Sequence, residues 1–283
     1  LLERWLQRQA VAEGERLDQL RQRFWQDAHW QRHDRVLVLG GRTLLWALDP
    51  LQATPEGGVV ITVATEADRE RCTAQIQLLD SLRQPRLITV PPAGPEQLQP
   101  ALEPGERFEW IAGRQPFAGL DRNRIEAWIR AITPLTTPQT QLRLLFSTAG
   151  LGPAAALLSG HGGSLRPRER QLLEEAIVLE TAPQGSGSPG PGQGPDPGTG
   201  IQGALAAAGW ILQPEPWREA LQLELTAPLL ERWLRVDGPY HSQVAGGLGP
   251  ERWTRLGQLL QRFRGQNVPQ TLEHTLLRGR LSP

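Results

Sequence analysis

The sequence contains no lysine and no methionine, and it has one cysteine and one tyrosine. Without lysine there is no P-loop lysine, no Schiff-base amine and no catalytic ammonium, so those chemistries are excluded and all positive charge is arginine. The lone cysteine, Cys72, excludes an intrachain disulfide and a cysteine-based zinc site, and it agrees with a reducing cytoplasm. No run reaches the apolar length of a membrane span, and the amino terminus is charged and amphipathic rather than signal-like, which predicts a soluble cytoplasmic chain with no membrane partner. Leu1 stands at position 1 inside a helical pattern, as expected of a segment cut from a longer polypeptide. Basic and acidic residues balance at 30 each, so the formal net charge is zero and any basic surface must be local.

What is present alternates. Residues 1–28 read as a helix, with Leu17, Leu20 and Phe24 at +3 and +4 spacing. At Asp34 the pattern changes to Val36-Leu37-Val38-Leu39, a continuous β-prone run stopped by Gly40-Gly41, as in a strand buried on both faces. A helix near 42–51, a strand over 58–64, a helix over 66–83 and a strand over 86–90 follow, then a strand at 108–112, a helix across 121–132 and a strand over 141–147. Repeated βα steps predict a parallel sheet with right-handed crossovers. A helix across 168–180 precedes residues 182–200, so rich in Gly, Pro, Ser and Gln that disorder is predicted. Beyond it the sequence predicts a helix at 201–208 and two closing strands, 210–212 and 220–225, separated by Pro214 and Pro216. The tail carries an amphipathic helix with Trp253, Leu256, Leu260 and Phe263 on one stripe and Arg252, Arg255 and Arg262 beside it. The organisation predicted is a helical segment at 1–33, an α/β core at 34–181, the insertion at 182–200, and closing strands with a helix of the same domain at 201–283.

A glycine-rich turn after the first strand lets a nucleoside ligand approach the backbone. Asp34-Arg35-Val36-Leu37-Val38-Leu39-Gly40-Gly41-Arg42-Thr43 resembles the first motif of class I S-adenosylmethionine (SAM) methyltransferases, with Gly40 at the first glycine position. Val38 stands where the family often has an acid, and Arg42 and Leu44 occupy the other two glycine positions. The alternative reading is a turn that uses Gly40 and Gly41 only for its geometry. After the second strand the family places a ribose-binding acid; here the nearest carboxylates are Glu66 and Asp68, in the first turn of a helix, where capping also explains them.

Phe108-Glu109-Trp110-Ile111-Ala112-Gly113-Arg114-Gln115-Pro116-Phe117 resembles the fourth-strand motif of methyltransferases acting on amino groups, Phe-Asp-x-Ile-x-x-Asn-Pro-Pro-Tyr. In that family the asparagine accepts hydrogen bonds from the target amine; Arg114, with donors and no acceptor, stands in its place, and Gln115 replaces the first proline. The resemblance implies an α/β fold, a Rossmann-like three-layer sandwich with a mostly parallel sheet, antiparallel closing strands and helices at both ends. It offers SAM as a cofactor on Gly40, Gly41, Arg42, Thr43 and Glu66, and Arg114, Gln115, Pro116 and Phe117 as the catalytic positions. The order of the whole, from Arg23-Phe24-Trp25 through the degenerate methyltransferase-like body, is also similar to the carboxy-terminal extension of cyanobacterial fusion proteins led by an AAA+ recombination ATPase. That implies an AAA+ ATPase partner, in the same chain or another.

Three functions stay open: a methyltransferase-like module without catalysis, a working SAM methyltransferase in which Arg114 meets an anionic substrate, and a nucleic-acid module using Arg252, Arg255 and Arg262, with DNA as a candidate partner. Ser159-Gly160-His161-Gly162-Gly163 reads as a flexible loop, His29 and His33 as solvated histidines without a third metal ligand, and Cys72 as a core residue.

Overall fold

The computed structural model describes residues 13–79, 84–182, 197–236 and 238–282. Seven strands form one sheet in the order β3-β2-β1-β4-β5-β7-β6. They are β1 (Arg35–Leu39), β2 (Gly58–Val63), β3 (Arg86–Thr89), β4 (Phe108–Arg114), β5 (Thr136–Ala149), β6 (Trp210–Glu224) and β7 (Asn267–Leu281). The first five pair in parallel, with Val36 beside both Val59 and Trp110. β7 runs antiparallel to its neighbours: Gly150 donates to the Thr271 carbonyl while Gly279 lies against Leu142, and Ser282 donates to Gly209 while Leu225 donates to Gln266. The predicted mostly parallel sheet with an antiparallel closing strand is the sheet found.

The helices are α1 (Glu13–Trp25), α2 (Leu48–Ala53), α3 (Glu66–Ile76), α4 (Arg122–Ile132), α5 (Pro153–His161), α6 (Pro167–Thr181), α7 (Pro197–Ala207), α8 (Ala227–Leu234), α9 (Pro239–Leu248) and α10 (Pro250–Arg262). Four expectations need correcting. The amino-terminal helix stops at Trp25 rather than at 28, and its predicted first part lies outside the described residues. The helix after β2 ends at Ile76, with residues 80–83 outside the described set. Of the stretch 182–200 expected to be disordered, 197–200 are helical within α7, while 183–196 lie outside the described residues. The two closing strands are one, because Pro214 and Pro216 sit in β6 at the sheet edge, where a missing amide donor breaks no ladder. Its alternating burial is that of a strand with one covered face. Beyond α10 comes β7, a strand that the sequence pattern does not predict.

Contacts divide the chain into two units. The first comprises residues up to Phe146, Gly198–Glu215 and Thr275 onward; the second comprises Ser147–Pro197 and Pro216–His274. β5, β6 and β7 each contribute residues to both.

In the first unit, Leu37, Leu39, Ile111, Ile129, Leu144 and Leu277 lie in one apolar core. An aromatic cluster gathers four of the ten tryptophans. Phe24, Trp25, Trp30, Trp46 and Trp110 pack edge-on or tilted against one another with ring centroids 4.4 to 6.2 Å apart. Arg143 enters this aromatic box from β5, 5.3 Å from the Trp110 ring, and donates to the carbonyls of Phe24 and Gln26 at 2.7 Å. It thereby closes the carboxyl end of α1, whose last carbonyls have no intrahelical partner. Burial, with repulsion from Arg278, pulls its pKa down to about 10, so it stays charged at neutral pH. Asp34, also buried, accepts from the Trp110 indole at 2.9 Å and from the Gln31 amide.

In the second unit, Leu157, Leu173, Leu230, Val244, Leu256 and Leu260 form a separate core. Its polar centre is Glu180, which accepts from the Ala154 and Ala155 amides at the start of α5 and from the Tyr240 hydroxyl at 2.7 Å. A side chain at Gly152 would collide with that carboxylate, which is why the helix begins on glycine.

Candidate functional site

In an open α/β sheet, ligands bind beyond the carboxyl ends of the strands, where the strand order reverses. Here that place lies beyond β1 and β4, which are neighbours with Leu39 beside Gly113. Gly40 leaves β1 at φ +66°, a conformation that favours glycine, and its amide donates to Thr62 Oγ1 at 2.8 Å. Gly41 donates to the Thr62 carbonyl at 2.7 Å, and a Cβ on it would overlap Ile61 Cγ2. Both glycines are therefore required by the turn itself. Thr43 opens a short 3-10 helix, Leu44–Ala47, and Arg42 points out exposed between them.

From the other side β4 turns back over this point. Gln115 adopts φ +52°, uncommon for a residue with a side chain, while its amide donates to the Leu145 carbonyl and its carbonyl accepts from Ala118. The turn lays Pro116 over Gly40, so close that a Cβ on Gly40 would lie 3.2 Å from Pro116 Cα. Phe117 is buried beside Trp128, whose indole donates to the Pro92 carbonyl. What remains is a cavity of about 30 Å³ walled by Gly40, Thr62, Ala64, Val90, Pro116, Phe117 and Trp128. That is the volume of about one water, whereas pockets for organic ligands occupy about 300 Å³ or more. This cavity is far smaller than a nucleoside ligand such as SAM. The β2 wall is Thr62 and Ala64, with no carboxylate for a ribose. Glu66 is exposed on α3, 4.0 Å from Arg69. The amides of α3 are capped by Thr65, which accepts from the Asp68 amide and donates to the Asp68 carboxylate.

Arg114 ends β4 with its guanidinium 5.6 Å over the Trp46 ring. Its Nε is out of contact with water and has no hydrogen-bond partner. Burial lowers its proton affinity, and Arg16 and Arg42 lower it further by repulsion. Arg42 and Arg114, assigned separately in the sequence, thus act on one another electrostatically, and Trp46 lies under the Arg114 guanidinium. Nothing in the spacing of Arg16 on α1 singled it out from the other helix arginines.

In the second unit the three tail arginines do converge. Arg252, Arg255 and Arg262 on α10 face Arg168 on α6 across a cavity of about 540 Å³, whose wall also holds Glu169 and Glu175. Two of them are paired. Arg262 makes a two-pronged contact with Glu169 at 2.6 and 3.1 Å, and Arg252 meets Glu175 at 2.7 Å. The donated hydrogen bonds of Arg262 hold the Glu169 pKa down at about 2. Arg255 reaches Glu251 only at 4.0 Å.

The remaining sequence candidates resolve simply. Ser159 and His161 lie in α5 rather than in a flexible loop, and the His161 ring packs on Phe263. His29 and His33 lie outside any helix, so they share no helix face, and among the described residues no cluster of metal-ligating groups exists. Cys72 is buried on α3, and burial pushes its thiol up to about 11, leaving it protonated at neutral pH. A row that the sequence did not suggest crosses β5, β7 and β6. Ser147 Oγ lies 2.8 Å from His274 Nδ1 and His274 Nε2 lies 3.0 Å from Glu219, with Trp217 stacked on the imidazole. It joins residues far apart in the chain, which only strand pairing brings together.

No protein-family model matches the chain, and no curated protein is significantly similar to it in sequence. Solved structures are similar in shape. A candidate methyltransferase from Bacillus halodurans C-125 is 12% identical with a TM-score of 0.51, over 92% of this chain and 97% of its own. The [4+2]-cyclase SpnF is 12% identical over 93% of this chain and 81% of its own, with a TM-score of 0.49. Coclaurine N-methyltransferase, bound to N-methylheliamine and SAH, is 12% identical over 94% of this chain and 74% of its own, with a TM-score of 0.45. The first of these likenesses, together with the strand order, places the chain in the class I methyltransferase fold and does not extend to its chemistry.

Proposed function

We propose that this chain is a methyltransferase-like domain without catalysis, working as an interaction or regulatory module of an AAA+ ATPase in DNA replication or recombination. The observation that carries the first half is the packing of Pro116 on Gly40, with Phe117 and Trp128 leaving about 30 Å³ where a nucleoside would lie. Arg114 adds a chemical reason, since the position that accepts an amine's hydrogens in the amino-group methyltransferases it resembles is here a donor. The ATPase partner rests on the resemblance of the sequence to the fusion proteins.

Calorimetric titration with SAM and with S-adenosylhomocysteine tests the catalytic half, and no binding is expected up to millimolar ligand. Micromolar SAM binding that disappears in Gly40→Leu would establish the working methyltransferase instead. For the partner, the expected result is co-elution of the chain with an AAA+ recombination ATPase on size-exclusion chromatography and an altered ATP hydrolysis rate. Separate elution with an unchanged rate would remove the ATPase from the proposal.

A second reading has its own support. The Arg168, Arg252, Arg255 and Arg262 cavity is large enough for a stretch of phosphate backbone. Binding to a fluorescent single-stranded oligonucleotide should then fall steeply with salt and weaken when Arg255 and Arg262 are both alanine. Salt-insensitive or unchanged binding would set this reading aside.

A further inference from the structure

The two edges of the sheet are unlike. β3 is an edge of four residues, whereas β6 is an edge of fifteen, Trp210–Glu224. A long edge strand offers a row of unmet amides and carbonyls to any second strand, and proline blunts such an edge because it has no amide to offer. Pro214 and Pro216 do this for the first half of β6 and leave the half from Trp217 to Glu224 open.

Which groups point outward follows from parity. Burial alternates without a break from Pro216 to Leu225, odd-numbered residues on the covered face and even-numbered ones exposed, so no bulge shifts the strand. Leu225 turns its amide to the Gln266 carbonyl and its carbonyl to the Gly265 amide, at the start of β7. Odd-numbered main-chain groups therefore face β7, and those of Arg218, Ala220, Gln222 and Glu224 face away from it. The two prolines are even-numbered, as this parity requires. β6 is last in the strand order, so among the described residues no strand meets these outward groups.

An edge charged with one sign would repel its own copy. β6 instead carries Arg218 and Glu224 at equal distances either side of Leu221. A second β6 laid antiparallel about a two-fold axis at Leu221 sets each Arg218 opposite a Glu224 and each Ala220 opposite a Gln222. All four residues have outward main-chain groups, so every one of these pairs is of the hydrogen-bonded kind. Their side chains share the exposed face, which places an Arg–Glu contact on either side of the axis. Arg218 is 77% exposed and meets Glu273 of its own chain through Nε at 3.0 Å, and a guanidinium has further donors for a second carboxylate.

We infer that β6 is a self-recognition edge: two copies of this chain pair antiparallel along residues 218–224 and continue the sheet across a two-fold axis at Leu221. The inference goes beyond the proposed module function and holds with or without an ATPase partner.

The test is sedimentation velocity of the full chain at low salt, from about 1 to about 200 µM, a range suited to an edge contact smaller than a standard interface. A monomer–dimer equilibrium is expected. Gln222→Pro removes an outward amide just as Pro216 does, so it should leave the urea-unfolding midpoint unchanged and weaken dimerisation at least tenfold. Glu224→Arg should also weaken it at least tenfold, by facing arginine with arginine. Adding Arg218→Glu to Glu224→Arg should restore the dimer, because the two ends of each contact are then exchanged. Arg122→Gln, at an exposed site on α4, should change nothing. A chain that is monomeric at every concentration overturns the inference, as does a dimer that Gln222→Pro leaves intact. Should Gln222→Pro lower the urea midpoint, the charge exchange decides: a double variant no tighter than Glu224→Arg alone overturns the pairing about Leu221.

Discussion

The enclosed arginines of the first unit and the exposed arginines of the second live under opposite conditions. In the first, Arg143 is enclosed by indoles and spends its donors on main-chain carbonyls, and Arg114 is half enclosed with an idle Nε. In the second, Arg252 and Arg262 are exposed and answer to carboxylates across an open cavity. The difference teaches that net neutrality says little about where charge is compensated. Arg143 in the first unit is satisfied by carbonyls and aromatic faces, whereas exposed arginines of both units, Arg122 and Arg262 among them, meet acids that water and salt can screen.

The sharpest way to break this contrast is at the closed site of the first unit. Phe117→Ala removes a buried ring, and the expected cost is about 3–5 kcal/mol by analogy with other buried phenylalanine truncations. Equilibrium urea unfolding measures it, and a loss under about 1 kcal/mol would mean that Phe117 does not plug the nucleoside position.

Next comes Arg143→Met, which fills the aromatic box but strands two carbonyls at the end of α1. Each unmet buried acceptor costs about 1–3 kcal/mol, so a total near 3 kcal/mol is expected in the same experiment. An unaffected midpoint would show that water replaces the guanidinium and that this cation is not structural.

The second unit gives a subtler, pH-dependent effect. Burial raises the Glu180 pKa above its ordinary value, partly offset by the Tyr240 and α5 donors. Its contribution to stability is therefore complete below about 4.5, the ordinary glutamate value, and is lost as pH rises through the raised value. Scanning calorimetry should find Glu180→Gln and wild type closest near pH 4.5, with the variant gaining relative to wild type toward pH 8. A gap independent of pH would contradict the assignment.

Smallest is the exposed pair. Glu169, held down at about 2 by Arg262, contributes stability above about 4.5 that is lost as pH falls through about 2, the opposite sense to Glu180. Arg262→Ala should barely move the unfolding midpoint at neutral pH, and moderate salt should erase what difference there is. A large, salt-resistant loss would place this pair with the buried arginines of the first unit.

The amino-acid sequence by itself determined the sheet's parallel half, because buried strands such as Val36-Leu37-Val38-Leu39 need an unbroken apolar run and their helical crossovers need a different period. It also exposed the substitutions at Arg42 and Arg114, since those are matters of residue identity against a motif. It concealed β6, where Pro214 and Pro216 look like breaks unless the strand is known to lie at an edge, and β7, whose polar residues alternate too irregularly to announce a strand. Tertiary structure alone decided that Pro116 closes over Gly40, that Arg114 lies over Trp46, and that Ser147, His274 and Glu219 form a row. Each depends on which strands are neighbours and on what side chains fill the space between them, and neither is encoded in any short stretch of chain.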